Sequence, residues 1–310
     1  MAPSPTQEGQ IPFRVPSIDP LCFTFYKIFG DLSCAKPPVV VVHGGPGGGH
    51  DYCLPFADLW PQYDLPVILY DQIGCGLSTH LQHKAGDNEF WQEDLFIAEL
   101  QNLLDFFKLQ DESGPGFHLI GQSWGGCLGS AFASTQPKGL RRLVLAGAVA
   151  SIELSIKSIQ LLREGLPEDV REALNDAEQR QDFESEAYRQ GMRVFSERHL
   201  CRTVPFPEDL VKTFNNMSED KTVYGPATVT CIGSLVPWTV IPRLPNITAS
   251  TLVYNGEFDS SHDMCTVPFF EGIPKVRWIT FPGAGHMCHM EADGLRERVL
   301  KVVGDFLTAN

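Results

Sequence analysis

The sequence predicts an α/β fold: a mostly parallel central sheet with helices on both faces and a helical cap inserted late in the chain. Three observations lead there. Short apolar runs alternate with longer amphipathic stretches through the first 150 residues, a charged helical region follows, and the strand rhythm then returns near the C-terminus.

The elements follow in order. "PPVVVVHGG" and "LPVILYDQIG" are each an apolar run closed by glycine, as buried strands are. "EFWQEDLFIAELQNLLDFFKL" places apolar residues at helical spacing. "FHLIG" reads as a strand, "SWGGCLGSAFASTQP" as a helix stopped near Pro137, and "LRRLVLAG" as another strand. From about Ser151 to Pro226 the chain is charged and helical, without a convincing strand. "ASTLVYNG" and "VRWITFPG" restore the strands, and "GLRERVLKVVGDFL" makes a closing helix. This divides the chain into a core, 1–150 and 246–310, and a cap, 151–245.

Composition narrows the functional classes. With 43% hydrophobic residues in a chain of 310, a sizeable core can be buried. Asp plus Glu exceed Lys plus Arg by 38 to 24, a net charge of -14, and no basic cluster stands out, which argues against nucleic acid and anionic membranes as partners. The N-terminus shows no signal-peptide pattern and no apolar run is long enough to span a bilayer, so a soluble, cytoplasmic protein is expected. Nine scattered cysteines without a CxxC pair fit reduced thiols, and "HMCH" (His286 to His289) lacks the second ligand cluster a metal site needs.

The chemistry centres on "GQSWGG". Gly121, Ser123 and Gly125 form G-x-S-x-G between a strand and a small-residue helix, where a sharp turn exposes the serine Oγ as a nucleophile. A serine nucleophile needs a base, and the base an orienting acid. Two later strands end in "EFDSSHD" and "PGAGHMCHM", which puts Asp259 and His286 on successive strand-end loops, the edge where ligands bind in such sheets. Asp263 is the weaker acid, and His289 and His262 read as surface or structural residues. The oxyanion formed on attack needs preorganised N–H donors. Trp124 at the helix start supplies one, and Gly45 in "HGGPGGG" supplies the other, with Gly44 in reserve.

"HGGPGG", "YDQIGCGLS", "GQSWGG", "LVLAG", "GEFD" and "GAGH" occur in the order found in the prolyl iminopeptidase family, which the chain resembles from about residue 20 onward. The cap pattern is most similar to that of the archaeal tricorn-interacting aminopeptidase. The resemblance implies an α/β-hydrolase fold, a triad of Ser123, Asp259 and His286, and no cofactor. It also exposes a departure. Those aminopeptidases hold the substrate's amine with a glutamate in a G-P-x-E segment and another directly after the catalytic Asp. Here "GPATV" and "FDSS" put Thr228 and Ser260 at those positions. A buried ammonium without a carboxylate costs on the order of several kcal/mol.

A small-molecule amide or ester, of the kind found among natural-product intermediates, is therefore the expected substrate. Thr228, Ser260 and Gly44 are candidate contacts, Glu257 is a reserve anchor or a structural residue, and Trp124, Phe56 and Trp238 are candidate walls of an apolar pocket. Two alternatives stay open: a prolyl aminopeptidase with displaced amine contacts, acting on short peptides, and non-hydrolytic acyl transfer or cyclisation on the same scaffold.

Overall fold

The computed structural model describes residues 3–223 and 237–309. In chain order the elements are β1 (Gln7–Phe13), β2 (Cys22–Phe29), β3 (Val39–Val42), α1 (Leu59–Tyr63), β4 (Val67–Tyr70), α2 (Glu93–Phe106), β5 (Phe117–Gln122), α3 (Trp124–Ser134) and β6 (Leu140–Ala146). Four helices follow: α4 (Ile152–Glu164), α5 (Glu168–Arg180), α6 (Glu186–His199) and α7 (Glu208–Glu219). The chain ends with β7 (Ser250–Gly256), α8 (Asp263–Gly272), β8 (Val276–Phe281) and α9 (Leu295–Thr308).

The strands form one sheet in the order β1-β2-β4-β3-β5-β6-β7-β8. β1 pairs antiparallel with β2, and β2 antiparallel with β4; every pair beyond is parallel. The all-valine β3 shows why a parallel strand reads as an unbroken apolar run. Its Val40 and Val42 pack with Leu100, Leu103 and Leu128 beneath α2 and α3, while Val39 and Val41 pack with Val299 and Val303 of α9. Both faces are covered, so no position needs to be polar.

The N-terminal strands carry a weak signal, because only Ile11 and Phe13 of β1 are buried. The sequence reading also passes over β2, α1 and α8; at the elements it names, pattern and structure agree closely, with one shift. α2 begins at Glu93, not Glu89, because residues 87–91 are held as a turn: the Asp87 carboxylate and carbonyl accept Phe90 N–H and Trp91 N–H, and the Trp91 indole donates to Lys84 O at 2.8 Å. Residues 151–223 contain no strand, and α4, α5 and α6 share a separate apolar cluster around Leu174, Tyr188 and Phe195. Among the described residues no helix is long and apolar enough to cross a membrane.

The strand order locates the cleft. From β3 the chain moves outward to β4 and then returns to place β5 on the other side of β3. The carboxyl ends of β3 and β5 therefore diverge, which opens the crevice where α/β sheets bind ligands.

Candidate active site

Ser123 stands at the carboxyl end of β5 with φ 55° and ψ −123°, a conformation costly for a residue with a Cβ. Its N–H bonds Ala146 O at 2.8 Å, and α3 starts at the next residue. The flanking glycines make the turn possible by close approach. A Cβ on Gly121 would fall 2.2 Å from Gly125 O, and one on Gly125 would fall 2.0 Å from Val42 O.

Asp259 and His286 come together as the spacing predicts. Asp259 Oδ1 lies 2.6 Å from His286 Nδ1 and accepts Ser261 N–H at 2.7 Å, while Oδ2 accepts Gly256 N–H. Both side chains are buried. With Nδ1–H spent on the carboxylate, the neutral imidazole keeps Nε2 as its basic nitrogen, and His286 and Ser123 line the same cavity. The rival residues are engaged elsewhere. Asp263 accepts from Asn255 Nδ2 at 2.8 Å, His262 caps α8, and His289 stacks on Phe56 with its Nε2 on Tyr52 O.

The loop after β3 distinguishes the two glycines. Tyr52 Oη accepts Gly44 N–H at 2.5 Å and donates to Gln122 Oε1 at 2.6 Å, so the reserve donor is already committed. Among the described residues Gly45 N–H and Trp124 N–H have no partner, and both residues line the cavity. Gln72 braces them. Its amide donates to His43 O at 2.7 Å, its N–H bonds His43 Nε2 at 2.9 Å, and its Oε1 accepts the Trp124 indole N–H at 3.1 Å. Burial pushes the His43 imidazole down to about 4, so Nε2 stays an acceptor at neutral pH. Asp71, within "YDQIGCGLS", ties two turns, its carboxylate accepting His50 N–H at 2.7 Å and Leu77 N–H at 2.9 Å. Burial alone would raise its carboxyl, but His50 and Leu77 N–H hold it below the usual range.

The cavity encloses about 130 Å³ over Ser123. α4 contributes Ile152, Ser155 and Ile159, α7 contributes Thr213, Phe214 and Met217, and the Asp259 turn contributes Ser260 and Ser261. Among the described residues no carboxylate lines it. Several expectations need correction. Glu257 is exposed and its carboxylate accepts Gly283 N–H at 2.8 Å, so it serves the β8 turn rather than a substrate. Phe56 lies in the core against His289, and Trp238 packs edge-on to Trp124 with its indole bonded to Glu93; neither lines the cavity, whereas Trp124 does. Gly44 lines it through a loop whose N–H is spent. Thr228 lies outside the described residues.

Sequence reading missed Gln72, His199 and Ser155. Gln72 sits inside the motif "YDQIGCGLS" without a signal of its own, and the other two belong to helices whose docking no local pattern reveals.

Comparison with known proteins places this geometry. The family model of the α/β-hydrolase fold matches residues 37–293. A proline iminopeptidase of Lactiplantibacillus plantarum is 32% identical over 86% of this chain and 92% of its own. Among solved structures, VinJ superposes with a TM-score of 0.90 at 39% identity, covering 98% of this chain and 99% of that one. Proline iminopeptidase of Mycobacterium smegmatis superposes at 0.86 with 34% identity, covering 97% of each. A strained serine elbow in a mostly parallel sheet, a model match over most of the chain and near-complete coverage of such relatives lead to one conclusion: the chain belongs to the proline iminopeptidase-like branch of the α/β-hydrolases and is a serine hydrolase.

Proposed function

We propose that the enzyme cleaves a small amide or ester with a neutral acyl group, through an acyl-enzyme on Ser123. His286 Nε2 takes the Ser123 proton as Oγ attacks the carbonyl, and Asp259 holds the imidazole and stabilises its cation. The Gly45 and Trp124 N–H groups, the latter at the start of α3, receive the oxyanion. His286 then protonates the leaving group, and water resolves the ester by the same path in reverse. In this reading residues 151–245 act as a cap over the site, with α4 and α7 lining the cavity.

The observation that carries the substrate class is that, among the described residues, no carboxylate lines the cavity. The undescribed stretch 224–236, "YGPATVTCIGSLV", has none in its sequence to offer. An α-ammonium group would enter without a counter-charge, at a cost of several kcal/mol on the order-of-magnitude scale of unpaired buried charge. A second reading, prolyl aminopeptidase, is favoured by the names of the similar proteins from L. plantarum and M. smegmatis.

The test is hydrolysis of proline p-nitroanilide with its amine free and acetylated, beside p-nitrophenyl esters of short acids. Faster cleavage of the acetylated amide or the esters supports the neutral-acyl reading. Preference for the free amine replaces it with the aminopeptidase.

A further inference from the structure

We propose that the hydroxyls of Ser155, Ser260 and Ser261 form a neutral hydrogen-bonding subsite beside Ser123. It receives an amide or carbonyl group within the acyl portion, so the preferred donors are N-acylated amino acid esters and amides. This rests on the neutral-acyl reading above and specifies it.

All three residues line the cavity, and Ser260 and Ser261 are only 8% and 5% exposed. Among the described residues none of the three hydroxyls has a hydrogen-bond partner. They come from two elements joined without using them. Ser158 Oγ of α4 donates to Ser260 O at 2.6 Å and accepts His262 N–H at 2.9 Å, which fixes α4 on the turn after Asp259. Ser155 lies one turn earlier on α4, where Ile152, Ser155 and Ile159 face the cavity at helical spacing. The fold is thus held by Ser158, and the other hydroxyls are left for an occupant.

The chemistry of that occupant follows. A hydroxyl donates to a carbonyl oxygen and accepts from an amide N–H, so the trio matches an amide in either orientation. A hydrocarbon placed there strands the hydroxyls, buried without partners. An ammonium finds only neutral acceptors. The apolar side chains around them, Ile152, Ile159, Phe214 and Met217, favour a compact group rather than a hydrated one.

The experiment compares p-nitrophenyl N-acetylglycinate with p-nitrophenyl 4-methylpentanoate, its all-carbon counterpart, and with the ester of free glycine. Wild-type enzyme should prefer the N-acetylglycyl ester over the hydrocarbon by about tenfold in kcat/KM. In Ser155→Ala/Ser260→Ala that ratio should fall to about one, through a raised KM for the N-acetylglycyl ester; Ser155→Ala alone should lower it part of the way. Equal cleavage of the two neutral esters by wild type, or an equal loss on both in the variants, overturns the subsite and leaves the neutral-acyl reading standing. Preference for the free glycine ester overturns that reading as well.

Discussion

The backbone carbonyl of His199, the last residue of α6, accepts the N–H of His286 at 3.1 Å. The same oxygen accepts Ser260 N–H at 3.0 Å, and the His199 ring bonds Phe258 O through Nδ1 at 2.9 Å. One residue outside the sheet therefore ties together the turns that carry Asp259 and His286. Burial lowers its imidazole pKa, so the ring is neutral and donates from Nδ1. His199→Phe should lower kcat by about tenfold with little change in KM and reduce Tm by about 2–4 °C. His199→Asn, whose amide can place an N–H near the Nδ1 position, should recover most of the rate. Steady-state kinetics and thermal unfolding on the two variants check this; a rate loss identical in both removes the role assigned to the ring.

Gln72 makes a second set of ties, between the two sides of the proposed oxyanion site. Gln72→Leu removes the bonds to His43 O and the Trp124 indole, while the backbone bond to His43 Nε2 can persist. The expected result is a fall in kcat of about 10²-fold, the scale of losing an oxyanion donor, with KM moving far less. Gln72→Glu should not rescue it, because a carboxylate offers no donor to His43 O. Burst kinetics with a p-nitrophenyl ester would locate the loss in acylation; an unchanged acylation rate would show that the brace does not matter.

Local chemistry made much of the site legible. Ser123 follows its strand directly, and Asp259 and His286 lie three and five residues past theirs, so a period reading plus a turn signal is enough to bring them to one sheet edge. Gly45 and Gly44 differ only through Tyr52, seven or eight residues on, whose hydroxyl reaches back in space. Glu257 lies close to Asp259 in sequence, but it sits in the turn after β7, exposed, where its carboxylate accepts Gly283 N–H, so of its two sequence readings the structural one fits. His199 and Ser155 belong to amphipathic helices whose sequences state which face is apolar but not what that face meets.

Ser123 carries a prediction about strain as well as chemistry. Ser123→Ala should abolish fluorophosphonate labelling and reduce kcat by 10³-fold or more on the order-of-magnitude scale of triad removal. Its Tm should stay near wild type, because alanine keeps the same strained backbone. Ser123→Gly should melt higher than Ser123→Ala. Relief of positive-φ strain is worth about 1–3 kcal/mol, against about 0.4–1 kcal/mol of added unfolded-chain entropy. Equal or lower melting of the glycine variant would mean that the elbow stores no strain.

Glu99 on α2 is fully buried and accepts from Thr24 Oγ1 at 2.5 Å and Ile73 N–H at 2.9 Å. Burial pushes its carboxyl up to about 8. A folded value above the unfolded 4.5 means that this group's stability is fully present below 4.5 and is lost as pH rises through 8. Glu99→Gln keeps an acceptor without the ionisation, so its melting temperature should decline less than wild type between pH 5 and 8.5. Parallel Tm profiles for the two proteins would show that Glu99 does not titrate in this range.

The His80 and Asp220 pair predicts a pH dependence on the other side of the cleft. His80 Nδ1 lies 2.5 Å from Asp220 Oδ2 and Nε2 lies 3.0 Å from Gly76 O. Both partners are acceptors, so the bonded ring carries both protons. Asp220 follows α7, and Val223 beyond it lies against Gly74. The pair therefore fastens the end of α7 to the loop after β4. Burial alone would lower the His80 pKa, but Gly76 O and Asp220, with Asp71 farther off, raise it above 6.5. The contribution is fully present below 6.5 and is lost as pH rises through the raised folded value. Burial opposes ionisation of Asp220, yet Thr222 and His80 hold its carboxyl below 3.8, so the acid side fails only under that value. With the ring 39% exposed, solvent screening keeps the pair to about 0–1 kcal/mol. His80→Gln should therefore melt slightly below wild type at pH 5.5 and level with it at pH 9, read by thermal unfolding at both; a deficit that stays constant or grows with pH would show that the pair is not the fastening.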